Sequence, residues 1–390
     1  VHEAIIRLSE NKCLAHIEEC HKGARLFEFR AHVIVQSPSG KLQPPVVELK
    51  KSCEEAVPMN LKERLLKTLR RETVDRPPAA VPTQCAIVEV MEASGFAWPR
   101  AQQRAADMAG LAWACHEIGG IESLRVPFDI TVEAEAMGCP TRFGDDKATP
   151  PVSTPYSRSE YDRLHMPDPR RDGRIPEVIE AVQRLREKAA DSVPVIAAFG
   201  TPFEILSTTM SFEDITMLLI DEPEYLADRL AQLTAFAVSY GQALEEAGPD
   251  VLMLVDGTTQ SLGPKYFAKF SLPYTRQLIE ALRTPTILHV CGKATPLLEG
   301  MVKTGASALS IDKPVDIGTA LRVAGDRTAI VGNISPQTLL QGPVGEVIRE
   351  TDEAIASGIH VVAPGCGILP WTPLKHLRAY VGRVQETGAK

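Results

Sequence analysis

Short, nearly continuous apolar runs recur along this chain, each followed by a longer amphipathic stretch, and that alternation restricts the fold more than any other feature. The runs fall at 79–82, 123–128, 193–200, 251–257, 286–292, 306–312, 328–335 and 359–365. They consist mostly of Val, Ile, Leu and Ala. A strand exposed on one face alternates apolar and polar residues. A strand covered on both faces does not, and parallel sheets flanked by helices contain such strands. The intervening stretches carry helix signals. Asp221-Glu222-Pro223 opens a long helix and Gly248 closes it, with proline near the start and glycine past the end. Ser211 and Asp214 form a capping pair, and Leu298, Met301 and Val302 share one helix face. Eight strand–helix repeats predict an α/β fold of the (β/α)8 TIM-barrel type. An open doubly wound sheet fits less well, because the glycine-rich dinucleotide fingerprint is missing after the first run. The proline-rich, polar segment 140–169 predicts a long excursion over the barrel mouth.

The start of the chain reads as an N-terminal extension, 1–58, ahead of a barrel at 59–390. Asn60 and Glu63 form a capping pair before a helix whose apolar face is Leu61, Leu65, Leu66 and Leu69. The extension itself suggests a helix, a strand near 26–35, a Pro-Ser-Gly turn and a second short strand. Its Cys13, His16, Cys20 and His21 follow no common zinc spacing.

Composition acts by exclusion. A formal net charge of -8 leaves no basic excess for phosphates, so no nucleic-acid partner is expected. No apolar stretch is long enough to cross a bilayer, and no membrane partner is expected. The first residues lack the layout of a secretory signal, and eight cysteines in a chain with its own core need not be staples. A reduced, cytoplasmic protein is the expectation. Cys85, Cys115 and Cys139, among small or apolar neighbours, read as buried thiols.

Two other cysteines fall elsewhere. Along the run ending His289-Val290-Cys291-Gly292, side chains alternate faces, so His289 and Cys291 point the same way. Their Cα atoms stand about 6.6 Å apart at the usual strand rise, close enough for both to bind one ion. Alone, the pair is weak evidence and better suits a core histidine beside a buried thiol. Cys366, in Pro364-Gly365-Cys366-Gly367, also follows a strand directly, between glycines that let the backbone turn the thiol inward. Both positions lie at the C-terminal ends of strands, the catalytic rim of a barrel. Asp256, Asp312 and Asn333 end other strands on that side. Several such residues together read as an active site, although helix capping also accounts for Asp256 and Asp312. Two thiolates and an imidazole favour zinc over magnesium or calcium, and three protein ligands leave a fourth position open. Asp312 is the candidate for that position when substrate is absent, to be displaced by an incoming thiol.

At these residues the sequence resembles the methylcobamide:coenzyme M methyltransferases of methanol, methylamine and chloromethane metabolism, within the uroporphyrinogen decarboxylase superfamily. The matching stretches are Asn60-Leu61-Lys62-Glu63-Arg64, Arg125-Val126-Pro127-Phe128, Thr131-Val132-Glu133-Ala134-Glu135-Ala136, His289-Val290-Cys291-Gly292, Gly332-Asn333-Ile334-Ser335-Pro336 and Ala363-Pro364-Gly365-Cys366-Gly367. The resemblance covers the chain from about Met59 onward. It implies a distorted barrel, zinc held by His289, Cys291 and Cys366, and methyl transfer from a methylcobamide on a corrinoid protein to a small thiol, coenzyme M first among them. Asp256, Asn333 and Glu133 are the candidates to orient ligand or metal. Members more often carry glutamate where this chain has the shorter Asp312. Two alternatives are a tetrapyrrole decarboxylase and a non-catalytic zinc-holding partner of a corrinoid protein. The first is disfavoured because Pro82-Thr83-Gln84-Cys85-Ala86 lacks the arginines that meet substrate carboxylates. A sulfonate on the acceptor requires a cation, and Arg125, Lys265, Lys293 and Lys313 all stand near expected rims.

Overall fold

The computed structural model describes the backbone of Ala15–Glu18 and Arg30–Val33, and residues 59–388. The chain divides into two units, Val1–Met59 and Asn60–Lys390. In the first, Ala15–Glu18 pairs antiparallel with Arg30–Val33. The strand expected near 26–35 is thus present, but its partner precedes it. The Pro-Ser-Gly turn, the strand expected after it, and the side chains of Cys13, His16, Cys20 and His21 lie outside the described residues.

In the second unit seven strands form one parallel sheet in chain order: β1 (Leu124–Val126), β2 (Val195–Gly200), β3 (Val251–Asp256), β4 (Thr286–Val290), β5 (Ala308–Ile311), β6 (Ala329–Ile334) and β7 (Val361–Pro364). Every one falls inside a run expected to be a strand. The first run, 79–82, is buried but is not a strand. Pro77, Pro78 and Pro82 remove the donors that a ladder needs. The segment still bridges the sheet edges. The Pro78 carbonyl accepts from the Val362 N–H at 3.1 Å, and the Ala79 carbonyl from the Glu122 N–H at 3.1 Å. Side chains replace the missing ladder: the Ala79 N–H donates to the Glu122 carboxylate at 2.9 Å and the Val81 N–H to Ser123 Oγ at 3.0 Å. The barrel is therefore distorted, with an extended, proline-bound segment at its eighth station.

Alternation along the strands separates two cores. Leu252, Leu254, Leu288, Val290 and Leu309 face outward and pack under the helices. Ile196, Ala198, Val251, Met253, Ile287, Ala308, Ala329, Val331, Val361 and Ala363 face inward, with Ala80. The helix α1 (Leu61–Leu69) adds Leu65 and Leu69 to this inner core. Asn60 caps α1 by accepting from the Glu63 N–H at 2.8 Å. Lys62 ties its first turn to Asp250, directly before β3, so α1 closes the N-terminal end of the barrel. Each leucine buried there contributes about 1.5–3 kcal/mol. The opposite end, where the strands finish, is left for chemistry.

After α2 (Pro202–Thr209) come the helices expected from the capping signals at Ser211 and at Asp221-Glu222-Pro223, α3 (Phe212–Asp221) and α4 (Pro223–Ala247), the last ending at Gly248 with φ 84°. Segment 140–169 holds a two-stranded ribbon, Thr141–Arg142 with Val152–Ser153, and touches the end of α2 through the Tyr156 N–H and the Thr209 carbonyl at 2.8 Å. No helix among the described residues is long and apolar enough to cross a membrane.

Candidate metal centre at the barrel mouth

Ile287 belongs to the inner core, so two residues further along β4 His289 also faces inward, at the mouth. It is only 2% exposed. On the adjacent strand Ala308 is followed in the same way by Ser310, whose Oγ lies 3.0 Å from His289 Nδ1. That contact fixes the ring and leaves Nε2 facing Cys291 Sγ, 3.0 Å away. Cys291 Sγ in turn lies 3.3 Å from Cys366 Sγ. All three donor atoms fall within 4.8 Å of one another. Residues 75 apart in sequence meet because β4 and β7 open into one mouth.

Two glycines make the approach possible. Gly292, with φ 72°, turns the chain directly after Cys291. At Gly365 an added Cβ would lie 2.7 Å from the Lys313 nitrogen, so only glycine lets the chain before Cys366 run against the loop after β5.

The electrostatics of the two thiols favour a cation. The neighbouring Cys291 thiol and His289 pull Cys366 down to about 4. Cys291 is pushed far up by Cys366, by burial, and by the charges of Asp312 and Glu204. One thiolate forms readily and the second is opposed by the first. A dication removes that opposition. The nitrogen and two sulfurs suit zinc, and three protein donors leave room for a fourth ligand.

The other expected residues take different places. Asp312 lies outside the three-donor cluster; its Oδ2 accepts from the Gly292 N–H at 2.8 Å and its Oδ1 from the Lys313 N–H at 2.7 Å. Asn333 donates to the Val315 carbonyl at 2.7 Å and so staples the loop that carries Asp312. Asp256 accepts from the Thr259 N–H at 3.0 Å and from Thr201 Oγ1 at 3.1 Å, which is the capping role weighed for it. Glu133 accepts from the Gly200 N–H at 2.8 Å, and burial pushes it up to about 7.

Sequence reasoning missed Glu204. Thr201-Pro202-Phe203-Glu204 has the form of an ordinary helix start, and Thr201 does cap the Glu204 N–H at 3.2 Å. The carboxylate instead crosses to β3's end, accepting from the Gly257 N–H at 2.8 Å and Thr258 Oγ1 at 3.2 Å. Burial and the Asp256 charge push it up to about 7. The available signal was its position one turn beyond a strand end, on the rim.

Comparison with known proteins agrees with this geometry. The family model "Uroporphyrinogen decarboxylase (URO-D)" matches residues 60–387. A methylcobamide:coenzyme M methyltransferase, MtaA, of Methanosarcina barkeri is 36% identical over 331 residues, 84% of this chain and 98% of that protein. The corresponding MtbA of Methanosarcina acetivorans is 35% identical over 336 residues, 82% of this chain and 96% of that protein. The solved structure of a methyltransferase from Methanosarcina mazei superposes with a TM-score of 0.80 at 36% identity, covering 84% of this chain and 99% of the other. The chain belongs to the methylcobamide:coenzyme M methyltransferase family of the uroporphyrinogen decarboxylase superfamily.

Proposed function

We propose that this enzyme moves a methyl group from a methylcobamide, presented by a corrinoid protein, to the thiol of coenzyme M, and that it does so with zinc at His289, Cys291 and Cys366. The observation that carries the reading is the convergence of those three donors at the strand ends of a barrel mouth. Similarity to the coenzyme M methyltransferases of Methanosarcina supports the donor and the acceptor. When bound, zinc lowers the pKa of a thiol so that it is held as thiolate near neutral pH.

The chain's own residues do the rest. Ser310 holds the imidazole so that Nε2 faces the sulfurs. Cys291 and Cys366 contribute negative charge, which keeps a neighbouring substrate sulfur electron-rich. Asp312 is held against the Gly292 N–H, next to Cys291, and it is the candidate to fill the fourth position between turnovers. The acceptor thiol gives up its proton and its sulfur forms a bond to the methyl carbon. The carbon–cobalt bond breaks and its electron pair stays on cobalt, giving a thioether and cob(I)amide. Holding the two reactants in line supplies the rate.

Mixing the zinc-replete enzyme with methylcobalamin and coenzyme M tests this. The expected result is loss of the methylcobalamin spectrum with one methylated thiol formed per corrinoid. Absence of demethylation with any small thiol would sink the reading.

A further inference from the structure

Of the four cations expected at the rims, three are accounted for. Lys313 pairs with Glu350 at 3.0 Å, and Lys265 and Lys293 stand exposed, where a solvated ammonium discriminates weakly. Arg125 differs. It is 3% exposed and sits in the middle of β1. Its neighbours Leu124 and Val126 belong to the outer core, and its register partner Ile196 to the inner one. Arg125 therefore points into the bore, on the wall three strands from His289.

Its charge is left without a carboxylate partner among the described residues. Its guanidinium donates to the Pro127 carbonyl, beyond the end of β1, and its buried Nε has no partner. Among the described residues it makes no ion pair; the arginine nearby that does is Arg174, which takes both oxygens of Asp129 at 2.7 and 2.9 Å. Two further groups act on Arg125: Cys85, a buried thiol that the neighbouring Cys115 and the Arg125 charge draw down, and Glu133, which is bound to the Gly200 N–H and is drawn toward its protonated form by burial. Burial draws Arg125 down only to about 10, so the guanidinium keeps its charge at neutral pH. An unpaired, buried cation is expensive for a fold to maintain. Its planar fork matches the oxygens of a sulfonate or carboxylate.

We infer that Arg125 receives the anionic end of the acceptor, so that the enzyme selects short thiols carrying an oxyanion a few bonds from sulfur. The inference rests on the thiol-methylation reading and adds to it the residue that sets the substrate class. The sulfur would lie at the His289–Cys291–Cys366 wall and the oxyanion at the β1 wall. The bore of an eight-station barrel is narrow enough for a short molecule to reach both.

The test compares 2-mercaptoethanesulfonate, 3-mercaptopropionate and 2-mercaptoethanol on zinc-loaded wild type, Arg125→Gln and Arg125→Lys. Binding is read by calorimetry and methyl transfer by the methylcobalamin spectrum, with zinc content and melting temperature as controls. Wild type is expected to bind an anionic thiol at least about thirtyfold more tightly than 2-mercaptoethanol, and Arg125→Gln to lose most of that ratio. The sulfonate and carboxylate arms decide which oxyanion fits. Arg125→Lys, a point charge without the fork, should keep only part of the ratio. An equal affinity for charged and neutral thiols in wild type overturns the inference. So does an unchanged ratio in folded, zinc-loaded Arg125→Gln or, where that variant does not fold, in Arg125→Lys. Binding selectivity that depends on Arg125 without methylation of any thiol would remove the methyl-transfer reading and leave the anion site. Methylation without selectivity would do the reverse.

Discussion

The two ends of the barrel are built from the same strands and the same inward-facing parity, yet they do opposite work. At the closed end, Val251, Ile287, Ala308 and Ala329 pack with Leu65 and Leu69 of α1. One step of two residues toward the mouth, Ile287 gives way to His289, Ala308 to Ser310 and Val331 to Asn333. On β4 and β5 the wall changes from hydrocarbon to donor atoms one inward-facing position beyond that layer, and on β6, where Val331 follows Ala329, two positions beyond. The closed end supplies cohesion, and the mouth can hold thiols and unpaired charge that destabilise it. Barrel enzymes commonly divide stability and catalysis between faces in this way. Mutations at the two ends should therefore separate metal binding from folding.

The largest separation is expected at Cys366. Cys366→Ser removes one of three donors, and zinc affinity should fall more than about 100-fold, beyond what loss of a ligand's supporting hydrogen bond costs. Thiol-dependent demethylation should fall with it. Metal-free wild type and the variant should melt within about 3 °C of each other, because no inner-core contact is touched. Metal analysis and calorimetry check both halves; a variant that fails to fold would break the division. Leu65→Ala probes the other end. Leu65 is 0% exposed, and truncation should cost about 3 kcal/mol in urea unfolding. Zinc stoichiometry should stay at the wild-type value, and a drop in it would show that the plug and the mouth are coupled.

Asp312 is intermediate, since it shapes the mouth without joining the three-donor cluster. Asp312→Ala leaves the Gly292 N–H without its acceptor, next to Cys291. Zinc affinity is expected to fall about tenfold, with Asp312→Asn recovering part of it through its remaining oxygen. Competition against a fluorescent chelator measures both. Equal affinities for all three proteins would assign Asp312 to loop geometry alone.

This division explains what was legible in the sequence. Strands buried on both faces announce themselves by composition, so all seven were placed. The eighth run, 79–82, has the same composition but its prolines prevent a ladder, and only the contacts of Glu122 and Ser123 show how the gap closes. His289 and Cys291 were legible because strand alternation fixes their relative direction. Cys366 was legible by type and place, although its 3.3 Å approach to Cys291 depends on a glycine contact with the loop after β5. Glu204 was not. Its local pattern is that of a helix start, and its carboxylate finds Gly257 and Thr258 only once β2 and β3 lie side by side. Arg125 was visible as one cation among four; burial and the lack of an ion pair single it out, and neither is a sequence property.

Glu133 offers the smallest and most specific test of how much strain the mouth carries. Its carboxyl titrates at about 7 in the folded protein, against about 4.3 in an unfolded chain. Between those values the native state holds a proton that the unfolded state has released, so stability declines as pH rises through this window. The contribution is complete below about 4.3 and gone above about 7, the reverse of a salt-bridged acid. Glu133→Gln keeps an oxygen for the Gly200 N–H and never ionises. Its stability should fall less than that of wild type between pH 5.5 and pH 8, by about 1–2 kcal/mol in urea unfolding of the metal-free proteins, since a tenfold difference in proton affinity corresponds to about 1.4 kcal/mol. Glu204 titrates in the same range and remains in both proteins, and Glu133 is among the charges that raise it. The substitution therefore also eases Glu204, which enlarges the difference rather than hiding it. Parallel pH profiles for the two proteins would mean that water reaches Glu133 and that the mouth is less dry than its burial indicates.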